Sequence, residues 1–272
     1  MLAHARAGQW LAVRPNGVID LDKLEQRLAA GGIDLIAVMA ANNETGVIQP
    51  LDDVIRLAHA RGVRVHVDAV QALGKMPLDF HSLGADYLSL SAHKIGGPAG
   101  VGALLVRSGL EMTPLLAGGG QESSRRAGTE NLIGIAGFAA AVEGMAHRDG
   151  WTLACARLRD DMEARLQAFA SDVVVFGASA PRLANTSCFA LASLNAETQL
   201  MALDLAKVGV SAGSACSSGK VAASHVLQAM GAPQPLARAA LRVSLGWSTQ
   251  PHDVDRLLEA WQAHVAQVRC PL

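Results

Sequence analysis

A chain of 272 residues has room for one large domain or two smaller ones, and with half its residues hydrophobic it has ample material for a core. A formal net charge of −1, with no basic run and no interleaving of basic and aromatic residues, argues against nucleic acid as a partner. The apolar runs are broken by Gly or charge before they could span a bilayer, and "MLAHARAGQWLAVRPNG" holds no signal-like apolar stretch, so no membrane association is expected and the cytoplasm is the expected compartment.

In chain order, "DLDKLEQRLAAGG" places Leu21, Leu24 and Leu28 at helical spacing, with Asp20 to cap the helix and Gly31 or Gly32 to stop it. "IDLIAVMA" reads as a short buried strand, and "PLDDVIRLAHARG" as an amphipathic helix ending at Gly62. "VRVHVDAV", "DYLSLS" and "VGALLV" read as further strands. Strands separated by helices predict parallel pairing, with ligands bound beyond the carboxyl ends of the strands. That edge would carry Asn42–Asn43, Asp68 and Ser91–Lys94.

The second half changes character. "NLIGIAGFAAAVEGMAHR" predicts a helix, and "WTLACARLRDDMEARLQAFA" another, with Leu153, Leu158, Met162, Leu166 and Phe169 along one side. "DVVVF", "TSCFAL" and "ALRVSLG" predict strands, and "AETQLMALDLAKVG", "ASHVLQAMG" and "PHDVDRLLEAWQAHVAQV" helices. The expected organisation is a mostly parallel α/β domain over 1–149 and a smaller α+β domain over 150–272.

Four cysteines, Cys155, Cys188, Cys216 and Cys270, include no C-x-x-C pair, so neither a disulfide framework nor a resident metal site is expected. His66 in "HVD" makes a poor metal ligand for the same want of partners. Cys155 and Cys188 read as buried and inert. Cys216 lies in "SAGSACSSGK", whose Ser, Gly and Ala suit an exposed loop, and an accessible thiolate there could act as a nucleophile.

The unusual residue is Lys94, in "SLSAHKIGGPAG", between an apolar strand and a glycine-rich turn leading to another. An amine becomes nucleophilic where its ammonium form is disfavoured. A lysine bound as an imine to pyridoxal phosphate, with an aspartate on the ring nitrogen, is the arrangement that cofactor requires. Asp68, at the end of a neighbouring strand, suits the second role, its alternative being a helix cap. Ser91, His93 and "GGPAG" offer donors and a permissive backbone to a phosphate, or else a tight strand connection. Arg242, sharing a strand face with Ser244, could clamp a carboxylate or be an ordinary surface arginine.

Together "MAANNETGVIQP", "VHVDAVQALGK", "SLSAHKIGGPAGVGAL", "GGGQESSRRAGTEN", "SAGSACSSG" and "LRVSLG" resemble the cysteine desulfurases, pyridoxal-phosphate enzymes of the class V aminotransferase group, in order and over nearly the whole chain. The resemblance implies that Lys94 carries the cofactor, Asp68 pairs with its ring nitrogen, Gln71 reaches its phenolic oxygen, and Ser91 and His93 contact its phosphate. Asn43 would lie by the ring and substrate, Arg242 would hold the substrate carboxylate, and Cys216 would take the sulfur. It further implies that Thr129 reaches the phosphate of a partner subunit, hence a homodimer. The implied activity converts L-cysteine to L-alanine and leaves a persulfide for a sulfur-acceptor or iron–sulfur scaffold protein, with Cys216 the residue to meet any cluster in transit. Alternatives on the same scaffold are a selenocysteine lyase, an aminotransferase, or a non-catalytic fragment. The family pattern begins earlier, with a phosphate-binding turn and a ring-stacking histidine that this sequence lacks; "MLAHARAGQW" does not match, and His4 is not assigned that role. The expectations are an uncovered apolar surface on the large domain and weak cofactor binding by the 272-residue chain alone.

Overall fold

A computed structural model describes residues 8–213 and 223–269. They form two compact units. One is made of Gly31–Ala40 and Leu51–Asp149; the other comprises the described residues of Met1–Ala30, Ala41–Pro50 and Gly150–Leu272. The chain thus changes unit at Gly150, and two earlier stretches join the C-terminal segment.

The first, the sheet unit, is built on β1 (Leu35–Met39), β2 (Arg64–Asp68), β3 (Tyr87–Ser91) and β4 (Gly102–Val106), in that spatial order. β1, β2 and β3 are parallel. Helix α2 (Leu51–His59) provides the first crossover and buries Leu51, Val54, Ile55 and Ala58. Alternation in the strands sends Ile36, Val38, Val65, Val67 and Leu88 into the core. β4 pairs antiparallel with β3, so the sheet is mostly parallel, as expected. Only a short 3₁₀ turn (Ala92–Ile95) and the glycine-rich segment 96–101 separate the two, and a parallel return needs a crossover of a dozen residues or more. The one-turn helix α3 (Phe80–Leu83) is capped by Asp79, whose carboxylate accepts from His81 N and Ser82 N.

Beyond β4 come the single turn α4 (Gln121–Ser124) and helix α5 (Leu132–Met145), capped by Asn131. α5 packs on the turn after β3 through its smallest residues. A Cβ added at Gly137 would fall 2.5 Å from Pro98 Cγ, and one added at Gly97 would fall 3.2 Å from Ala141 Cβ. Phe138 and Met145 are half-buried, while Leu132, Ile133, Ile135 and Val142 of this apolar helix stay exposed. The opposite face of the sheet is also open, with Leu35 and Leu104 about half exposed. The expected uncovered apolar surface is therefore present.

The second, or C-terminal, unit holds an antiparallel sheet of β5 (Val174–Val175), β6 (Thr186–Ala190), β7 (Ser211–Ala212) and β8 (Leu241–Ser244), in the order β5-β6-β8-β7. Its helices are α1 (Leu21–Ala29), α6 (Trp151–Phe169), α7 (Ala196–Leu205), α8 (His225–Ala229), α9 (Gln234–Ala239) and α10 (Pro251–Arg269). As the sequence predicts, Asp20 caps α1 by accepting from Lys23 N. On one sheet face, Phe189, Leu241, Met162, Leu166, Leu203, Leu258 and Trp261 form one core. Trp261 meets Phe189 edge to face at a centroid distance of 5.6 Å and donates its indole N–H to Gln199 Oε1 at 2.9 Å. Cys188, Phe176, Leu227 and Met230 pack on the other face, so every residue of β6 is buried. The predicted stripe on α6 is offset: Leu153 and Phe169 are exposed, while Cys155 and Glu163 are buried. Glu163 turns inward because Arg182 meets its two oxygens at 2.7 and 2.8 Å.

Candidate functional site

The sheet unit gathers most of the predicted site residues at the carboxyl ends of β2 and β3. Pairing sets Asp68 opposite Ser89, so Asp68 and Ser91 project on the same, open face of the sheet. His66 shares that face and meets Ser89 Oγ at 2.7 Å. Burial lowers the pKa of His66, against the pull of Asp68, so the ring is neutral at pH 7.

Asp68 is half-buried, and its Oδ1 accepts from Val70 N at 3.1 Å. The capping role weighed for this residue is thus partly realised, with the other oxygen left without a partner among the described residues. Gln71, one turn on, accepts Lys75 Nζ on Oε1 at 2.9 Å, which leaves its Nε2 as the free donor. Ser91 Oγ and His93 Nδ1 lie 2.8 Å apart.

Lys94 occupies the 3₁₀ turn that follows, and Gly96 closes the turn at φ +86°, a left-handed conformation that disfavours any side chain. Lys94 and His93 are both exposed. The reason is geometric. The turn carries Lys94 out past the end of β3, and the sheet face it borders is open. Thr129, also exposed, lies on the loop before α5.

In the C-terminal unit, Asn43 and Arg242 come together although 199 positions apart. Arg242 Nη1 donates to the Asn43 carbonyl at 3.1 Å, while Arg242 Nε is buried with no partner among the described residues. Arg242 and Ser244 share one face of β8, as predicted, and Leu241 and Val243 are buried on the other. The turn bearing Asn43 is tied by Asn42, whose Oδ1 accepts from Glu44 N and Thr45 N at 2.9 and 3.0 Å. Gly46 follows at φ +74°, and a Cβ there would stand 3.0 Å from Thr186 Cβ, so the turn can lie on β6 only with glycine at that position.

Cys216 and His4 lie outside the described residues. Cys155 and Cys188 are free and buried as expected, and burial pushes both thiols up, Cys188 strongly. No group of three or more metal-ligating side chains occurs among the described residues, and none of the described helices is long and apolar enough to cross a membrane. Sequence reasoning missed Glu44 and Ser224, two buried polar residues in contact. The available signal was a carboxylate placed in "NNETGV", directly before an apolar run.

The sheet unit therefore presents an amine, an open carboxylate oxygen, an amide donor and a hydroxyl–imidazole pair along one strand edge. This donor set fits a phosphorylated pyridine aldehyde: the amine for the aldehyde, the acid for the ring nitrogen, the hydroxyl and imidazole for the phosphate. An α/β fold with such an edge is that of a pyridoxal-phosphate transferase. The chain belongs to the class-V aminotransferase family, whose profile matches residues 5–257.

Within that family it is similar to cysteine desulfurases. It is 41% identical over 261 residues to one from a Nostoc species, covering 96% of this chain and 65% of that protein. It is 42% identical over 246 residues to one from Klebsiella pneumoniae, covering 90% of this chain and 62% of that one. Its fold matches a NifS-like protein from Rickettsia africae with a TM-score of 0.89 at 30% identity, over 98% of this chain and 71% of that one. The chain thus spans a little under two thirds of the length of the curated relatives it matches.

Proposed function

We propose that this chain carries the catalytic residues of a cysteine desulfurase, which removes sulfur from L-cysteine, releases L-alanine and holds the sulfur as a persulfide on Cys216. The observation that carries this reading is the pairing of β2 with β3, which sets Asp68 and Ser91 on one face beside the turn bearing Lys94. The similarity to proteins named cysteine desulfurases supports it.

Pyridoxal phosphate, when bound, supplies an aldehyde that captures amines and a ring that accepts electrons from the substrate α-carbon. The roles of the chain's own residues follow from their chemistry. Lys94 Nζ would hold the cofactor and, as a free amine, would accept the substrate α-proton. Asp68 keeps the ring nitrogen protonated. Gln71 Nε2 donates to the phenolic oxygen, and Ser91 and His93 bind the phosphate. Arg242 receives the substrate carboxylate and Asn43 borders the substrate. Cys216, as thiolate, attacks the substrate sulfur: an S–S bond forms, the C–S bond breaks, and the electron pair stays with carbon, which is protonated to alanine. No external oxidant is required, because the two electrons lost by the sulfur pair on forming the S–S bond stay with the substrate carbon, which is reduced from C–S to C–H.

The same reading places Thr129 on the phosphate of a partner subunit in a homodimer, and makes an iron–sulfur scaffold or another sulfur-acceptor protein in the cytoplasm the recipient. Incubation with L-cysteine and pyridoxal phosphate, with alanine and Cys216 persulfide quantified by mass spectrometry, tests it. Alanine and persulfide should appear in equal amounts before any acceptor is added. Lys94→Ala should abolish both. Cys216→Ala with undiminished turnover would instead mark an aminotransferase.

A further inference from the structure

Glu44 is only 3% exposed and makes no ion pair among the described residues. Its carboxylate accepts from Ser224 Oγ at 2.5 Å, and Ser224 Oγ in turn accepts from Leu227 N at 3.1 Å, capping α8. From the other side, a Cβ added at Gly213 would stand 3.4 Å from Glu44 Oε2 and 3.7 Å from Ser224 Cβ. The chain at Gly213 thus packs in ordinary contact range of the carboxylate. Arg242 donates to the carbonyl of the adjoining residue, Asn43, and its buried Nε–H has no partner among the described residues. Glu44 therefore ties the turn at 42–46 to the start of α8, and Arg242 ties the same turn to β8.

The titratable and charged groups that face Glu44 are His225 on α8, Arg242 on β8 and Cys188 on β6. Burial raises the Glu44 pKa above 4.5, while the Ser224 hydrogen bond and the charges of His225 and Arg242 pull it down. Arg242 is half-buried, and a guanidinium so placed can receive an anionic group; a buried carboxylate whose charge reaches it competes with that anion.

We propose that Glu44 is a positioning residue for Arg242: its protonated form leaves the guanidinium's charge free for an incoming substrate carboxylate, and its ionised form competes for that charge. The proposal rests on the reading of Arg242 as the substrate-carboxylate receptor, and its test separates the two ideas.

The first readout needs no activity. In the full chain labelled with ¹⁵N-arginine, the buried Nε–H of Arg242, assigned by its loss in Arg242→Lys, is followed by NMR from pH 4.5 to 9. The resonance should report a one-proton transition above the ordinary glutamate range. The transition should vanish in Glu44→Gln, which keeps an acceptor for Ser224. In Ser224→Ala it should move to higher pH, because the hydrogen bond that favours the anion is gone. A pH-independent Arg242, or a transition unchanged in Glu44→Gln, overturns the proposal. If Glu44→Gln does not fold, an unmoved transition in Ser224→Ala overturns it instead.

The second readout is the KM for L-cysteine in the cofactor-loaded enzyme. The wild-type KM should rise on the order of tenfold through the same transition relative to Glu44→Gln, with kcat profiles alike, because a nearby charge acts on binding of the anion. A purely structural role would lower kcat and stability at every pH. If the NMR transition is present and KM does not respond, the coupling of Glu44 to Arg242 stands and the assignment of Arg242 to the substrate fails.

Discussion

The two units close their cores differently. In the C-terminal unit β6 is buried on both faces, with Trp261, Phe189 and Leu258 on one side and Cys188 and Leu227 on the other. In the sheet unit one face of β1–β3 is buried, and the other carries Asp68, Ser91 and half-exposed Leu35, continued on β4 by half-exposed Leu104. Helix α5 makes the contrast sharper, since a helix apolar all round belongs in a core, yet Ile133 is 87% exposed. The lesson is that one chain can hold a finished core and a surface that has the composition of a core without its burial. The proposed chemistry sits on the edge of the second kind.

The contrast can be broken or sharpened by substitution, beginning with the largest expected effect. Phe189→Ala should cost about 3–5 kcal/mol, because it empties the centre of a packed core next to Trp261. Urea unfolding followed by Trp fluorescence measures this, and a loss under 1 kcal/mol would mean that the core is not the closed one described.

Asp86→Asn should come next, at about 3 kcal/mol near neutral pH, because it breaks a buried charge cluster. Asp86 is fully buried; its Oδ2 accepts from Val65 N at 2.8 Å and meets His59 Nε2 at 2.9 Å. Arg107 Nη2 stands 2.6 Å from Oδ1, as an ion pair without hydrogen-bond alignment. Burial pushes this carboxyl up, but His59, the Val65 N–H and Arg107 together hold it below 3.8. A lowered folded pKa stabilises above the unfolded value and ceases to do so as pH falls through the folded one. The wild-type advantage over Asp86→Asn should therefore be full above about pH 5 and disappear in acid. An advantage that persists at pH 2 would show that shape and not charge supplies it.

The smallest effect belongs to α5. Ile133→Ser should change stability by no more than about 0.5 kcal/mol, as at other exposed positions, while reducing self-association in analytical ultracentrifugation. A loss as large as that at Phe189 would contradict the open surface.

Local signals made much of this fold legible. Asp20 caps α1, Asn131 opens α5, and the alternation in "VRVHVD" gives β2 with its buried Val65 and Val67. Features set by tertiary contact were not legible. Glu163 faces inward only because Arg182, 19 residues on, reaches it, and no periodicity encodes that pair. β4 turns back because its connection is short, which hydrophobicity alone does not convey. For the candidate site, the residue types of Asp68, Ser91 and Lys94 could be read from their strand-end positions, but the exposure of Lys94 could not, since it depends on what covers the sheet face. Glu44 escaped notice because its partners, Ser224 and Arg242, lie about two hundred residues away and reach it only in the folded unit.

The central claim is that Lys94 carries pyridoxal phosphate opposite Asp68. Borohydride reduction of the full chain incubated with that cofactor, followed by peptide mapping, tests it most directly. The account predicts one reduced adduct on Lys94, absent in Lys94→Ala, and in Asp68→Ala a weakened absorbance of the bound cofactor. Adducts spread over other lysines, with Lys94→Ala labelled as heavily as the wild type, would contradict it.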